Sequence, residues 1–126
     1  FLGESNFLNA VLQDGKVYAE GDVEHPLDLE IPGDADRRMV VATRPNSIDL
    51  MGPDGEGYPT KIEKRIFLTD RTEYLVPIGS QTLKIQVPHR ISFAEGDACK
   101  VRFVSPMWYP AEDEAAEKER QRRQLV

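Results

Sequence analysis

Hydrophobic and polar residues alternate along several short runs of this sequence. Between Leu83 and Val87, leucine, isoleucine and valine occupy every second position, and Lys84 and Gln86 stand between them. Because successive side chains of a β-strand point to opposite faces, this period predicts strands with one buried face. Runs with this pattern, or with the composition of a buried strand, lie at residues 16–20, 27–31, 38–43, 58–68, 74–78, 83–87 and 99–103.

Turn-forming residues separate these runs at intervals of roughly ten residues. Asp14-Gly15, Gly79-Ser80 and residues 95–97 supply positions that tolerate a positive φ or bond their own backbone. Short strands at this spacing are typical of a closed barrel or a sandwich. We therefore predict an all-β fold, built as a small OB-fold-like barrel. The sequence also allows one helical turn at residues 45–48, since proline suits a first helical position.

Residues 111–126 have a different composition. From Glu112 to Gln124 almost every residue is a strong helix former, and acidic residues precede basic ones as a helix dipole prefers. No apolar stripe runs along this segment, so we predict a polar C-terminal helix that is exposed or frayed. The chain thus divides into one domain at residues 1–110 and a tail at residues 111–126.

Charge and cysteine content limit the function classes. The chain has a net charge of −6, which repels phosphate backbones and argues against a nucleic-acid partner. The single cysteine, Cys99, has no partner for an internal disulfide, which fits a reducing compartment. The sequence contains no glycine-rich phosphate loop, so we expect this chain to bind no ATP.

No residue pattern indicates a catalytic or metal site. Neither His25 nor His89 has a ligand-spaced neighbour, so we expect no metal and no cofactor in this chain. A histidine could meet a serine in the folded chain, and sequence alone leaves that open, but no local signature supports a nucleophile. The serines concerned are Ser47, Ser92 and Ser105.

Four stretches, in order along the chain, carry a resemblance to one protein family. Residues 1–8 (FLGESNFL) resemble the segment that joins the nucleotide-binding domain to the regulatory domain in ATP-binding-cassette (ABC) importer ATPases. Residues 40–50 (VVATRPNSIDL) are similar to the family's "RPE" strand and turn. Residues 67–76 (FLTDRTEYLV) resemble its "FLGDRTEYLV" pattern, and FAEGD at 93–97, followed by Val101, resembles its late "F-x-x-G-D-x-V" hairpin.

The resemblance implies the transport-associated OB (TOBE) domain, a relative of the five-stranded barrel that is often built as two intertwined lobes. The opening stretch is more similar to the polyamine and ferric-iron subgroup than to the sugar subgroup. The resemblance implies that this chain is not itself an enzyme. A preceding domain would hold ATP and Mg²⁺ and hydrolyse ATP, and the chain, which starts at Phe1, would be cut from that longer polypeptide.

The resemblance also implies partners and a location. The domain would pack against its twin from a second ATPase subunit and reach the membrane subunits through the preceding domain. It would work in the cytoplasm, on the inner face of the plasma membrane, and could bind a small molecule or a protein regulator. A second hypothesis is that the barrel itself senses the transported substrate. A third, an OB-fold nucleic-acid binder, is disfavoured by the acidic charge.

The motif stretches supply four of the five candidate residues for a ligand or interface site, and Trp108 is the fifth. Asn46 replaces the usual Glu of the first pattern, and Thr69 replaces the usual Gly of the second, which removes a residue free to adopt a positive φ. We interpret Trp108 and Tyr109, which precede Pro110, as a hydrophobic lid at a barrel end. The candidate site residues are Arg44, Asp70, Arg71, Glu73 and Trp108.

Overall fold

A computed structural model describes residues 5–27, 29 and 37–110. Every regular element within these ranges is a β-strand, so the prediction of an all-β fold is confirmed. This part of the chain contains no helix that could cross a membrane. The predicted helix at residues 111–126 lies outside the described residues. The strands are β1 (Asn6–Gln13), β2 (Lys16–Ala19), β3 (Pro26–Leu27), β4 (Arg37–Thr43), β5 (Ile48–Met51), β6 (Tyr58–Lys61), β7 (Lys64–Phe67), β8 (Thr72–Ile78), β9 (Gln81–Val87), β10 (Ala98–Phe103) and β11 (Met107–Pro110).

Five strands form the first sheet, in the order β11-β4-β1-β2-β3, and all neighbours are antiparallel. Strands β1 and β2 are joined by Asp14-Gly15, whose φ angles of 54° and 77° are those that a tight type I′ hairpin requires. The predicted turn at this dipeptide is therefore confirmed. On β1 the alternate residues Leu8, Ala10 and Leu12 are buried, which defines the inner face of the sheet.

The middle of the chain forms two three-stranded antiparallel sheets. The second sheet has the order β5-β10-β6, and the third has the order β7-β8-β9. Strands β8 and β9 bury every second residue, as the alternation at 74–78 and 83–87 predicted. The Thr60 hydroxyl on β6 donates to the Pro77 carbonyl on β8 at 2.6 Å, which ties the second sheet to the third.

The last described strand returns to the first sheet. After β4 the chain leaves that sheet, builds β5 to β10, and comes back as β11, which pairs along the other edge of β4. The first sheet is thus made from both ends of the described chain and the other two sheets from its middle. The chain therefore interlocks the first sheet with the other two.

Side-chain amides join β1 to β9 across the boundary between the first and third sheets. The Asn6 amide donates to the Lys84 carbonyl at 2.7 Å and accepts from the Lys84 N–H at 3.0 Å. The Gln81 amide likewise donates to the Asn9 carbonyl at 2.9 Å and accepts from the Asn9 N–H at 2.7 Å. Each amide has both a donor and an acceptor, so each pair imitates a stretch of strand pairing.

One apolar core lies between the three sheets. Tyr74 on β8 is its largest fully buried side chain. Its hydroxyl donates to the Ile91 carbonyl at 3.2 Å and accepts from the Phe93 N–H at 2.9 Å, so its burial leaves the hydroxyl paired. Other core residues include Leu8, Leu12, Val17, Met39 and Val41 from the first sheet, Ile48, Leu50, Tyr58, Cys99 and Val101 from the second, and Val76, Ile78, Leu83 and Ile85 from the third.

The prediction of one strand across residues 58–68 is wrong. The run divides into β6 and β7, which belong to different sheets. Between them Ile62 turns into the core, and its N–H donates to the Asp97 carbonyl at 2.9 Å. The next N–H, of Glu63, donates to the Leu75 carbonyl at 2.9 Å and starts the pairing with β8. The chain thus changes sheet at Ile62.

One further local expectation fails. The helical turn allowed at residues 45–48 does not form, because the Ser47 N–H bonds the Arg44 carbonyl at 2.9 Å in a turn that leads directly into β5. Of the run predicted at residues 27–31, only Leu27 and Leu29 lie within the described residues, and Leu27 is the last residue of β3. The Leu29 N–H bonds the Leu27 carbonyl at 2.9 Å, which closes a tight bend after β3.

Candidate functional site

A cleft opens between β9, the turn after β4 and the turn between β7 and β8. Its two adjoining parts have volumes of about 340 Å³ and about 270 Å³. Asn46, Gln86, Val87 and Pro88 line both parts, so we call it the Gln86 cleft. The other lining residues are Asp70 and Arg71 at one end and Ile48, Asp49, Leu50, Met51 and Ile91 at the other.

The first wall of the Gln86 cleft is the turn after β4. Pro45 is buried, and its carbonyl accepts a hydrogen bond of 2.8 Å from the Gln86 N–H. Together with the bond between Ser47 and Arg44, this contact fixes the turn against β9. Both Arg44 and Asn46 are exposed, but Asn46 lines the cleft whereas Arg44 does not.

The second wall is the turn between β7 and β8, closed by the Leu68 N–H donating to the Arg71 carbonyl at 2.8 Å. The Arg71 guanidinium lies 3.3 Å and 3.2 Å from the two carboxylate oxygens of Asp70. These side chains are 45% and 72% exposed, so their ion pair contributes little to stability. Both charges therefore remain accessible to a ligand in the cleft.

Thr69 fits this second turn without backbone strain. Among the described non-glycine residues only Asp14 and Ser105 have a positive φ, so the position does not need the glycine of the resembled pattern. The imidazole of His89 contacts residues at both ends of this turn. Its Nδ1 lies 2.8 Å from the hydroxyl of buried Thr72, and its Nε2 lies 3.4 Å from the Thr69 carbonyl.

The remaining sequence-predicted site residues lie outside the cleft. Glu73 on β8 accepts a hydrogen bond from the Gln86 amide at 3.0 Å and lies 3.9 Å from the Lys84 ammonium, so it orients Gln86 from behind. Trp108 pairs with Val41 in the first sheet. Trp108 is half-buried on the edge strand β11, and its interpretation as part of a barrel-end lid stays a prediction.

Of the five candidates, only Asp70 and Arg71 therefore line the cleft. Asn46, at which the sequence departs from the family pattern, lines it as well. Sequence reasoning missed Gln86 and Pro88. Gln86 was assigned only to the polar face of a strand, and its nearness to the 70–71 turn follows from the β8–β9 pairing of Thr72 with Val87.

The chemistry of the Gln86 cleft suits binding. Two amides, two carboxylates and one guanidinium form a polar rim, and Val87, Pro88 and Met51 form an apolar floor. Polar groups on an apolar base orient a ligand and give specificity. Its lining residues include no pair of nucleophile and base, which catalysis of group transfer would need.

A second cleft, of about 490 Å³, lies where the loop after β2 meets β6 and the β8–β9 turn. The Tyr58 hydroxyl donates to the Asp22 carboxylate at 2.6 Å and accepts from the Gly79 N–H at 3.1 Å. The hydrogen bond from Tyr58 lowers the pKa of Asp22 to about 2, and burial beside Asp22 raises the pKa of Tyr58 to about 12. Near neutral pH Asp22 is ionised and Tyr58 is neutral, so this contact joins three sheets rather than moving protons.

The other reactive groups have structural surroundings. Burial raises the pKa of the Cys99 thiol to about 11, which keeps it protonated and unreactive. The His25 Nδ1 lies 3.2 Å from the Asp22 carboxylate, and His89 contacts Thr72, so neither histidine meets a described serine. Within residues 5–27, 29 and 37–110, no three His, Cys, Asp or Glu side chains are placed to hold a metal ion.

Comparison with models of known protein families finds no match to this chain. A search of curated proteins finds no match either.

Proposed function

We propose that this chain is the regulatory domain of the ATP-binding subunit of an ABC importer, with a polyamine or ferric iron as the transported substrate. One observation carries the proposal. The turn at residues 44–46 and the turn at residues 70–71 belong to two separate family-like stretches, yet they form the two walls of the Gln86 cleft. Two family-like stretches that line the same cleft support membership of the family better than two stretches that lie far apart on the surface.

The order of the strands supports the same proposal. Strand β11 returns to β4 after the chain has built the second and third sheets. This interlocking fits a TOBE domain made of two intertwined lobes, and we propose that the three sheets form an OB-fold-like barrel arrangement of that kind.

In this proposal the chain has no enzymatic activity of its own. A preceding domain binds ATP and Mg²⁺, hydrolyses ATP, and contacts the membrane subunits at the inner face of the plasma membrane. The present domain packs against its twin from the second ATPase subunit. The Gln86 cleft is the place where a small molecule or a protein regulator docks.

The reading frame upstream of the codon for Phe1 tests the family. We expect it to encode a glycine-rich phosphate loop followed by an ABC signature sequence. A frame that encodes neither contradicts the proposal.

The role of the cleft is tested in the full-length subunit, reconstituted with its membrane subunits in proteoliposomes. We expect Arg71→Ala to change the transport-coupled rate of ATP hydrolysis by roughly a factor of two or more, because Arg71 lines the cleft. The matched control is Lys64→Ala, which removes an exposed cation on β7 that lines neither part of the cleft. Equal effects of the two variants contradict a regulatory role for the cleft.

A second candidate function is sensing of the transported substrate, favoured by the position of two exposed carboxylates. Asp70 lines one part of the cleft and Asp49 lines the other, and two separate carboxylates can each pair with one ammonium group of a linear polyamine. Calorimetric titration with spermidine should give heat in wild type that falls with added salt and disappears in Asp49→Asn/Asp70→Asn. Absence of heat in wild type removes this candidate and leaves the regulatory proposal standing.

A further inference from the structure

The side-chain amide of Gln86 has a fixed orientation in the Gln86 cleft. Glu73 and Gln86 stand directly opposite each other on β8 and β9, and the Gln86 Nε2 donates to the Glu73 Oε1 at 3.0 Å. A glutamate carboxylate is ionised at neutral pH and only accepts hydrogen bonds, so the amide turns its nitrogen towards Glu73. The backbone N–H of Gln86 donates to the Pro45 carbonyl at 2.8 Å, which holds the residue from a second direction.

The carbonyl oxygen of the same amide is left for the cleft. It accepts no hydrogen bond from the described residues and is open to solvent, since the Thr43 hydroxyl is the one buried side-chain oxygen or nitrogen without a partner in those ranges. Gln86 lines both parts of the cleft. A ligand that reaches this amide therefore has to bring a hydrogen-bond donor.

One part of the cleft adds a charge of each sign beside this acceptor. This part has a volume of about 340 Å³, and Asp70, Arg71 and Gln86 lie around the apolar Val87 and Pro88. We call it the ion-pair half. The Arg71 guanidinium lies 3.3 Å and 3.2 Å from the two carboxylate oxygens of Asp70, and both side chains are exposed. Both are therefore able to contact a ligand while they stay close to each other.

The two charges discriminate against a ligand that carries only one. A simple amine pairs with Asp70 but is repelled by the Arg71 guanidinium beside it. A simple carboxylate pairs with Arg71 but meets two acceptors, Asp70 and the Gln86 carbonyl. A ligand with both an ammonium and a carboxylate avoids both conflicts. In an α-amino acid these groups are attached to one carbon and lie about 3 Å apart, which matches the separation of the Asp70 and Arg71 side chains.

We infer that the ion-pair half of the Gln86 cleft binds a free α-amino acid through its ammonium and carboxylate groups. The ligand carboxylate pairs with Arg71, and the ammonium donates to Asp70 and to the Gln86 carbonyl. An aliphatic side chain of the ligand packs on Val87 and Pro88. The inference rests on the proposed function, in which a small molecule docks in this cleft, and it names the class of that molecule.

Nuclear magnetic resonance of the isotope-labelled chain, titrated with L-norvaline, tests this site. Two matched probes each lack one charged group, since n-butylamine has no carboxylate and pentanoate has no ammonium. We expect L-norvaline to shift the side-chain amide signals of Gln86 saturably, with a dissociation constant on the order of a millimolar because the ion pair is exposed. Each matched probe should bind about tenfold more weakly or worse. Equal binding of L-norvaline and either matched probe overturns the inference.

Neutral variants of the two charged residues test the contacts. Asp70→Asn and Arg71→Gln should each raise the dissociation constant of L-norvaline about tenfold. The matched controls are Asp54→Asn and Lys64→Gln, which neutralise exposed charges that line neither part of the cleft. Circular dichroism of each variant checks that the strands remain folded. Equal binding of L-norvaline by all four variants overturns the site.

Glu73 is a positioning residue in this inference, because it acts on the ligand only through Gln86. Glu73→Gln introduces a group that both donates and accepts, so the Gln86 amide is free to turn its nitrogen into the cleft. We expect the preference for L-norvaline over pentanoate to fall about threefold or more. A loss of stability alone would leave this preference unchanged, and an unchanged preference in the folded variant overturns the positioning role.

The outcomes separate this inference from the proposed function. Binding of spermidine without binding of L-norvaline assigns the cleft to amines and overturns the inference. An effect of Arg71→Ala on transport-coupled ATP hydrolysis, with no binding of L-norvaline, keeps the regulatory role and overturns the ligand class. Binding of L-norvaline, with no effect of Arg71→Ala on ATP hydrolysis, supports the site and contradicts its regulatory role.

Discussion

Asn6 and Lys84 lie 78 residues apart in the chain and exchange two hydrogen bonds, one of 2.7 Å and one of 3.0 Å. The side-chain amide of Asn6 takes the place of a peptide group beside β9. It satisfies the N–H and the carbonyl of Lys84 on an edge of β9 that no strand in the described part of the chain covers. A single side chain therefore carries part of the connection between the first and third sheets.

We expect Asn6→Ala to lower the free energy of unfolding by about 1–3 kcal/mol, because it leaves two partly buried backbone groups without partners. The melting temperature should fall by about 4 °C or more, measured by circular dichroism. Asn46→Ala is the control, since the exposed Asn46 side chain makes no hydrogen bond within the described ranges. Equal shifts in the two variants would contradict the role assigned to Asn6.

Gly79 tests the close contact between the β8–β9 turn and the chain directly after β2. A Cβ at this position would overlap the carbonyl oxygen of Glu20, and its φ of +61° also disfavours a side chain. Gly15→Ala is the control, because Gly15 has a φ of +77° but open space around it. We expect Gly15→Ala to cost about 1–2 kcal/mol from φ alone and Gly79→Ala to cost clearly more. Urea unfolding of both variants measures the difference, and similar losses would show that the close approach is unimportant.

The contact between Asp22 and Tyr58 predicts how stability depends on pH. The folded-state pKa of Asp22 is lowered from 3.8 to about 2, so its contribution is present above pH 3.8 and is lost as the pH falls towards 2. The folded-state pKa of Tyr58 is raised from 10.0 to about 12, so its contribution is present below pH 10 and is lost as the pH rises towards 12.

Tyr58→Phe should make the acid loss of stability shallower and remove the alkaline loss due to this group, because both shifts depend on the hydroxyl. At neutral pH the variant should lose about 1–3 kcal/mol, since the Asp22 carboxylate and the Gly79 N–H each lose a partner. Urea unfolding across a pH series measures these slopes, and Tyr18→Phe, on half-buried Tyr18 of β2, is the control. A pH profile unchanged from wild type would refute the assignment.

The isolated chain should neither bind nor hydrolyse ATP, because the sequence contains no glycine-rich phosphate loop. Calorimetric titration with Mg-ATP should give no heat beyond that of dilution. Micromolar binding would contradict both this prediction and the division of labour in the proposed function.

The alternation of apolar and polar residues predicts those strands that have one apolar face and one polar face. Residues 83–87 and 99–103 alternate cleanly, and they form the interiors of β9 and β10. Strand β1 escaped prediction because Phe7 and Val11, on the face opposite its buried residues, interrupt the alternation of apolar and polar residues. Strands β5 and β11 are four residues long, too short for a period, and form because β10 and β4 offer edges to pair with.

The candidate site was predictable only in part. Asp70 and Arg71 stand in a turn that sequence chemistry identifies, and exposed charges in turns are natural ligand contacts. The partnership with Asn46 and Gln86 depends on the hydrogen bond between the Gln86 N–H and the Pro45 carbonyl. Such a contact between distant segments has no local signature, so the cleft appears only once the strands are paired.

Because β11 pairs with β4, the first sheet can be completed only late in the synthesis of the chain. During synthesis β4 leaves the ribosome with one edge uncovered, and its partner on that side emerges only after β5 to β10 have been made. Loop closure on this scale is slow relative to the local hairpins β1–β2 and β8–β9. A nascent chain therefore leaves the backbone N–H and C=O groups on this edge of β4 unpaired until β11 is made, which makes that edge a segment that a ribosome-bound chaperone should protect.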